Sequence, residues 1–505
     1  MFVGLLSFSI FMEVGQDLEG AASDYVCPKG DHGEYSGRPH LADGELEFRV
    51  IDEETGDEIS ARLHIKDERG RAVRPPKSKY HGDHLLIDGM FVLRLPAGRY
   101  TFLLEKGPEY NYRQGVFVLK NRATDNKTLS LKRIVDMKEE GWYSGDLMVF
   151  REEEEVPLAA AAEGVAMSFL LPPQAKKRGR IKKKVKSDAE DVIGRVESIL
   201  SGNAFTLKGK IVETKEHRLS EFRWKVSEKE EASQDELAQH TDLTRPYSWD
   251  LPLLLARGEV DSVQLLGEQL QREKVVTTEK EGRKRDKKKY PGDSGNARWN
   301  LAIYFHMLNC GFRIPPSAGS GSGLVENPVG YNRVYVYCGE KFDPAKWMEN
   351  FREGQVLITN GPLLRPYING KLPGHIFQVD QGEKLKMEIS LELATREPID
   401  YLEIIVNGVV QEEIRIDELQ KSQGRLPEVI FEESGWLVVR AVTQSPQSYR
   451  YTMTAPYYVE VGGASLCRKE SVEFFLNWLD DYERMSKTKV DSERAFWEGL
   501  LENAK

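Results

Sequence analysis

Gly141-Trp142-Tyr143-Ser144-Gly145-Asp146-Leu147-Met148-Val149-Phe150-Arg151 opens the central part of the chain. Its apolar run suits a buried strand, with one carboxylate, Asp146, inside it. A carboxylate at a strand end beside a cavity can hold a cation or act as a base, and it can equally cap the turn that follows. From 134 to 360 such runs alternate with helical stretches, Trp299 to Leu308 among them, the signature of an α/β domain.

On the N-terminal side, residues 41–133 read as short strands parted by turns. Glu45-Leu46-Glu47-Phe48-Arg49-Val50-Ile51 and Ala61-Arg62-Leu63-His64-Ile65 alternate polar and apolar side chains, the period of half-buried strands. Glu54-Thr55-Gly56-Asp57 and Pro96-Ala97-Gly98-Arg99 supply turns, and the spacing predicts a β-sandwich. The pattern resembles the carboxypeptidase-regulatory module, which implies a scaffold rather than a catalytic unit. On the C-terminal side, residues 361–462 return to strand periodicity, with the tight-turn dipeptide Asn407-Gly408, and predict a second β-sandwich. Residues 463–505 form a helical tail with Val472, Phe475, Leu476 and Leu479 on one face.

At 505 residues the chain is long enough for about three or four domains. Its net charge of −10 argues against a general nucleic-acid binder. No apolar run reaches the roughly 20 residues that a spanning helix requires. The four cysteines show neither a disulfide framework nor soft-metal spacing. Residues 1–40 read as a leader or disordered segment. The apolar start MFVGLLSFSIFM favours export over the cytoplasm, although no Lys or Arg precedes it. Two basic insertions, about 172–190 and 270–292, contain the runs AKKRGRIKKKVK and REKVVTTEKEGRKRDKKK. They read as solvated loops, or as contacts for an anionic polymer.

The opening stretch resembles the metal-binding motif of PHP-type metallohydrolases in the CehA/McbA family, which typically reads G-W-x-S-G-D-L-H-x-H. Thr241 through Pro252 and Gly258 through Val263 also resemble family segments, and the long block from Trp299 through Tyr337 with LNCGFRIPPSAGSGSG resembles its long planctomycete-type subfamily. The resemblance implies a multidomain α/β plus β fold, in which a PHP-like α/β barrel-type domain is flanked by N- and C-terminal β-sandwich domains. It also implies that two metal-binding histidines are replaced by Met148 and Phe150, and a third by Gln269. His-x-His on a strand sends both imidazoles to one metal, whereas phenylalanine cannot ligate and a lone thioether is a soft, weak ligand.

The candidate site residues follow from this frame. Asp146 and His240 are the candidate catalytic groups. Asp146, His240, Asp242 and Glu268 are the ligand set should a divalent zinc, manganese or iron be bound, although no cofactor is expected. Arg313, Ser317 and Ser320 border a Gly/Ser-rich loop whose N–H groups can hold an oxyanion or, alternatively, simply connect two elements. Three functions stand open: a degenerate member kept to bind a small molecule or protein, a metal-dependent hydrolase of ester, amide, carbamate or phosphoester bonds with a rearranged ligand shell, and a structural surface module.

Overall fold

The computed structural model describes residues 44–504 apart from 76–77, 79, 83, 174–175, 178–179, 182–196, 199–203, 215, 226–236, 422–425 and 446. The leader reading of 1–40 and most of the first basic run lie outside these residues. Strand exceeds helix, 42% against 19%, so the protein is β-rich rather than evenly mixed.

The alternating segments of 44–131 form a three-stranded sheet and a five-stranded sheet. Leu46, Phe48, Val50, Leu63, Ile65, Leu93, Leu95 and Leu104 fill a common apolar core, as their period of two requires. After this pair of sheets the chain enters a large sheet through β1 (Trp142–Val149), every residue of which is buried. The order then runs α1 (Val156–Glu163), β2 (Met167–Leu170), β3 (Phe205–Glu213), β4 (Arg218–Lys225), β5 (Leu237–Leu243), α2 (Leu251–Ala256), β6 (Ser262–Leu266), α3 (Gly295–Asn309) and β7 (Pro316–Ala318). It continues with β8 (Arg333–Tyr337), α4 (Pro344–Arg352) and β9 (Val356–Thr359). Spatially these strands lie in the order β7-β6-β5-β4-β3-β2-β1-β8-β9. Pairs β1/β2, β2/β3, β5/β6 and β6/β7 are parallel, whereas β3/β4 and β4/β5 are antiparallel.

The strand ladder does not close into a barrel among the described residues. It does curl. Gly321 N–H donates to Met148 O at 2.8 Å and Phe150 N–H to Ser322 O at 2.7 Å, bringing the segment after β7 onto the end of β1 through one isolated bridge.

The strands of the predicted C-terminal sandwich enclose an apolar core of their own, and some of them continue the central sheet. β9 pairs with Tyr451–Thr454, which pairs with Gly435–Thr443, so the central sheet runs unbroken into the C-terminal strands. Gly435–Thr443 is buried along its whole length, as its near-continuous apolar sequence requires of a strand deep in a sheet. The helical tail forms α5 (Lys469–Ser486) and α6 (Asp491–Glu502), separated at Lys487, whose φ is +59°. Trp478 Nε1 donates to Trp249 O and Trp497 Nε1 to Pro252 O, which docks the tail on α2. Among the described residues no helix is long and apolar enough to cross a membrane.

The second basic run is more ordered than a solvated loop. Arg285 is buried against Glu279, and Arg283 lies over the Trp478 ring at 4.8 Å beside Asp481. Arg272 reaches Glu105 at 3.5 Å, in a knot that joins the first sandwich to the rest. Glu105 also meets Arg62 at 2.9 Å, His64 at 3.2 Å and Arg396 at 3.9 Å, while Glu163 of α1 meets Arg62 at 3.2 Å. Lys287, Lys288 and Lys289 form an exposed tip of the run.

Candidate functional site

Asp146 is fully buried, and its two oxygens accept four hydrogen bonds from the protein itself. Oδ1 accepts from Met148 N–H at 3.1 Å and Ser320 N–H at 2.8 Å; Oδ2 accepts from Ser320 Oγ at 2.5 Å and Gly330 N–H at 2.7 Å. A carboxylate offers about four lone-pair positions, and all are used here. Burial pushes the Asp146 carboxyl above the usual carboxylate range, against the pull of its four donors. The arrangement favours the turn-capping alternative: Asp146 fastens β1 to the loop after β7.

Met148 and Phe150 are buried beneath that same loop. A Cβ on Gly319 would fall 2.4 Å from Met148 Cβ, and one on Gly323 would fall 2.1 Å from Phe150 O. Only glycine permits this approach, and Gly321 and Gly323 also adopt positive φ. The loop's N–H groups are spent internally, on Asp146, on Met148 O and, from Ser322, on Ser320 Oγ. The oxyanion cradle expected at Ser317 and Ser320 is therefore not formed, because both hydroxyls donate to buried carboxylates.

His240, Asp242 and Ser317 do come together, joined by two residues that the sequence reading missed, Ser262 and Gln264. Ser262 Oγ donates to Asp242 Oδ1 at 2.6 Å and meets His240 Nε2 at 2.8 Å. Ser317 Oγ donates to the same carboxylate oxygen, and Gln264 Nε2 donates to Oδ2 at 3.2 Å. Because Ser262 donates to the acid, it accepts from His240, which fixes the Nε2–H tautomer and leaves Nδ1 buried with no partner among the described residues. The serine stands between histidine and acid, so this is not a nucleophile–base–acid relay, and none of these side chains reaches solvent. The polar–apolar alternation of Ser262-Val263-Gln264-Leu265 was the signal available in the sequence.

Burial raises Asp242 to about 6 from 3.8 and, with the nearby Arg352 charge, lowers His240 to about 3 from 6.5. An acid with a raised folded pKa loses stability as pH climbs between its two values; a base with a depressed one gains stability over its own interval. Between about pH 4 and pH 6 the two slopes oppose each other. Asp242→Asn leaves only the histidine slope, so stability is expected to rise by about 3 kcal/mol more than in the native chain over those two pH units. Urea unfolding of both proteins at matched pH measures this; parallel profiles would show that Asp242 ionises normally in the fold.

Glu268, beside Gly321, and Arg313 are each held by partners of their own. Glu268 is held by Arg218 at 2.9 Å and Arg245 at 3.1 Å; burial works against its charge, but the two guanidiniums outweigh it and keep its carboxyl below the usual range. Arg313 pairs with Glu460, with its guanidinium 5.5 Å from the Tyr458 ring, among the C-terminal strands. Gln269 donates to Leu265 O. The proposed ligand set thus fails to converge, and among the described residues no three His, Cys, Asp or Glu side chains are placed to hold a metal ion. With Asp146 saturated, and Met148 and Phe150 packed at the motif, the residues present do not fit the metal that the resemblance implies.

Three comparisons bear on identity. No known family's sequence model matches the chain, and no curated protein matches it. Among solved structures, the Bacillus anthracis TIE protein is 22% identical over 21% of this chain and 19% of its own, with a TM-score of 0.16. Phospholipase PlaB from Legionella pneumophila is 15% identical over 23% and 28%, with a TM-score of 0.14. A Parabacteroides merdae β-glucuronidase is 10% identical over 81% of this chain and 62% of its own, with a TM-score of 0.16. The chain thus spans less than two thirds of each of these structures, and at such TM-scores none carries an argument about fold or activity.

Proposed function

We propose that this protein is a degenerate PHP-like metallohydrolase of the CehA/McbA type, retained to bind a ligand or partner rather than to hydrolyse one. In this reading β1–β7 are the remains of the barrel-type domain, and the sheets at either end are its flanking sandwiches. The observation that carries it is the saturation of Asp146 by four protein donors, with Met148 and Phe150 buried where the family motif has metal-binding histidines. The parallel β1–β2–β3 and β5–β6–β7 runs, and the return of the loop after β7 onto β1, support it.

Metal analysis of protein purified without chelator tests the reading. Zinc, iron and manganese are each expected well below one equivalent. Stoichiometric, tightly held metal would overturn it and restore the hydrolase alternative.

A further inference from the structure

A cleft of about 710 Å³ lies away from Asp146, at the opposite end of β7. Its walls are Arg313 and Pro315 before β7, residues 352–355 at the end of α4, residues 370–376, and the corner at Ala455 and Pro456. Such a volume lies within the range of small-molecule sites. The floor is backbone against backbone: a Cβ on Gly354 would meet Gly374 Cα at 3.2 Å, and one on Gly374 would meet Glu353 O at 2.1 Å. The cleft is thus preformed, and at Gly374 no other residue would fit.

Its charge contrasts with that of the whole chain. Arg313, Arg352 and Lys371 line it, with Glu353 as the one acid, in a protein of net charge −10. Glu353 accepts from Gln355 Nε2 at 2.9 Å, and Arg352 Nη2 donates to Gln239 O. Arg313 binds Glu460 and Ser465 through a single nitrogen, Nη2, and lies over Tyr458. His375 stands beside Lys371, and burial together with that ammonium holds its imidazole below the usual range. The remaining walls, Pro315, Leu372, Pro373, Ile376 and Pro456, are apolar. Cations gathered over apolar walls fit a ligand with an oxyanion head and a compact apolar body.

We propose that this cleft binds a small organic anion, a carboxylate or phosphate monoester, with its head held by Arg313, Arg352 and Lys371. The proposal gives the ligand-binding reading a place, but its test is separate from metal content, so either can fail alone. Calorimetric titration of the full chain with phenyl phosphate, benzoate, inorganic phosphate and benzyl alcohol decides it. Phenyl phosphate or benzoate is expected to saturate one site, and the preference between them identifies the head group. Lys371→Glu, at an exposed position, is expected to weaken that binding roughly tenfold or more, while Lys287→Glu on the distant basic tip leaves it unchanged. Unfolding curves that match the native chain's show that the variants are folded. In proton NMR the His375 titration midpoint is expected to rise when the anion is bound. Absence of binding by either organic anion, equal binding by benzyl alcohol or by inorganic phosphate, or equal binding by Lys371→Glu would each overturn the proposal.

Discussion

Asp146→Ala is expected to destabilise the protein by about 4 kcal/mol, a large share of the stability of any one domain. The substitution orphans the N–H groups of Met148, Ser320 and Gly330 and the Ser320 hydroxyl, all in a region closed to water. Each buried donor left without a partner costs about 1–3 kcal/mol, with partial relaxation of the loop offsetting some of the sum. Asp146→Asn should also be poorly tolerated, because its amide NH2 would face donors. A carboxylate kept for chemistry behaves in the opposite way, since functional sites hold strain that mutation relieves. Denaturant unfolding followed by tryptophan fluorescence separates the two, and a variant within about 1 kcal/mol of the native chain would sink the fastening role.

Glu105→Gln is expected to cost about 3–5 kcal/mol, because it strands Arg62, His64, Arg272 and Arg396 around a neutral side chain. The guanidiniums around Glu105 offset its burial and hold its carboxyl well below the usual range, so its stabilisation is present above the ordinary carboxylate pKa and is lost as pH falls through the lowered value. The placement of the tryptophans makes the effect readable. All eight lie at or beyond residue 142, outside the first sandwich. In the variant, circular dichroism should record an early loss of strand signal as the sandwich lets go, while tryptophan fluorescence changes later. Coincident, unshifted transitions would mean that the knot contributes little.

Side-chain periodicity made much of this fold legible. Glu45–Ile51 reveals a strand because alternate side chains meet water and core, and Val472, Phe475 and Leu479 reveal a helix by their shared face. The joining of β9 to Tyr451–Thr454 was not legible, since backbone hydrogen bonds leave no mark on residue type. The same limit applied to the candidate site. Asp146 could be singled out by its surroundings in the chain, but its donors come from residues 320 and 330, far along the sequence. Arg313 and Ser317 are four residues apart in sequence, yet they face different neighbours because β7 begins between them. Arg272 and Arg283 looked like parts of a solvated run because their acids, Glu105 and Asp481, lie elsewhere in the chain.

The unbroken sheet has a consequence for how the molecule can be divided. A cut after residue 360 would strip Tyr451–Thr454 from β9 and leave a buried, largely apolar strand as a raw edge, its N–H and C=O groups open to template another chain. The C-terminal strands are therefore not a detachable appendage but the cover on that edge, and the two halves share one fate in folding.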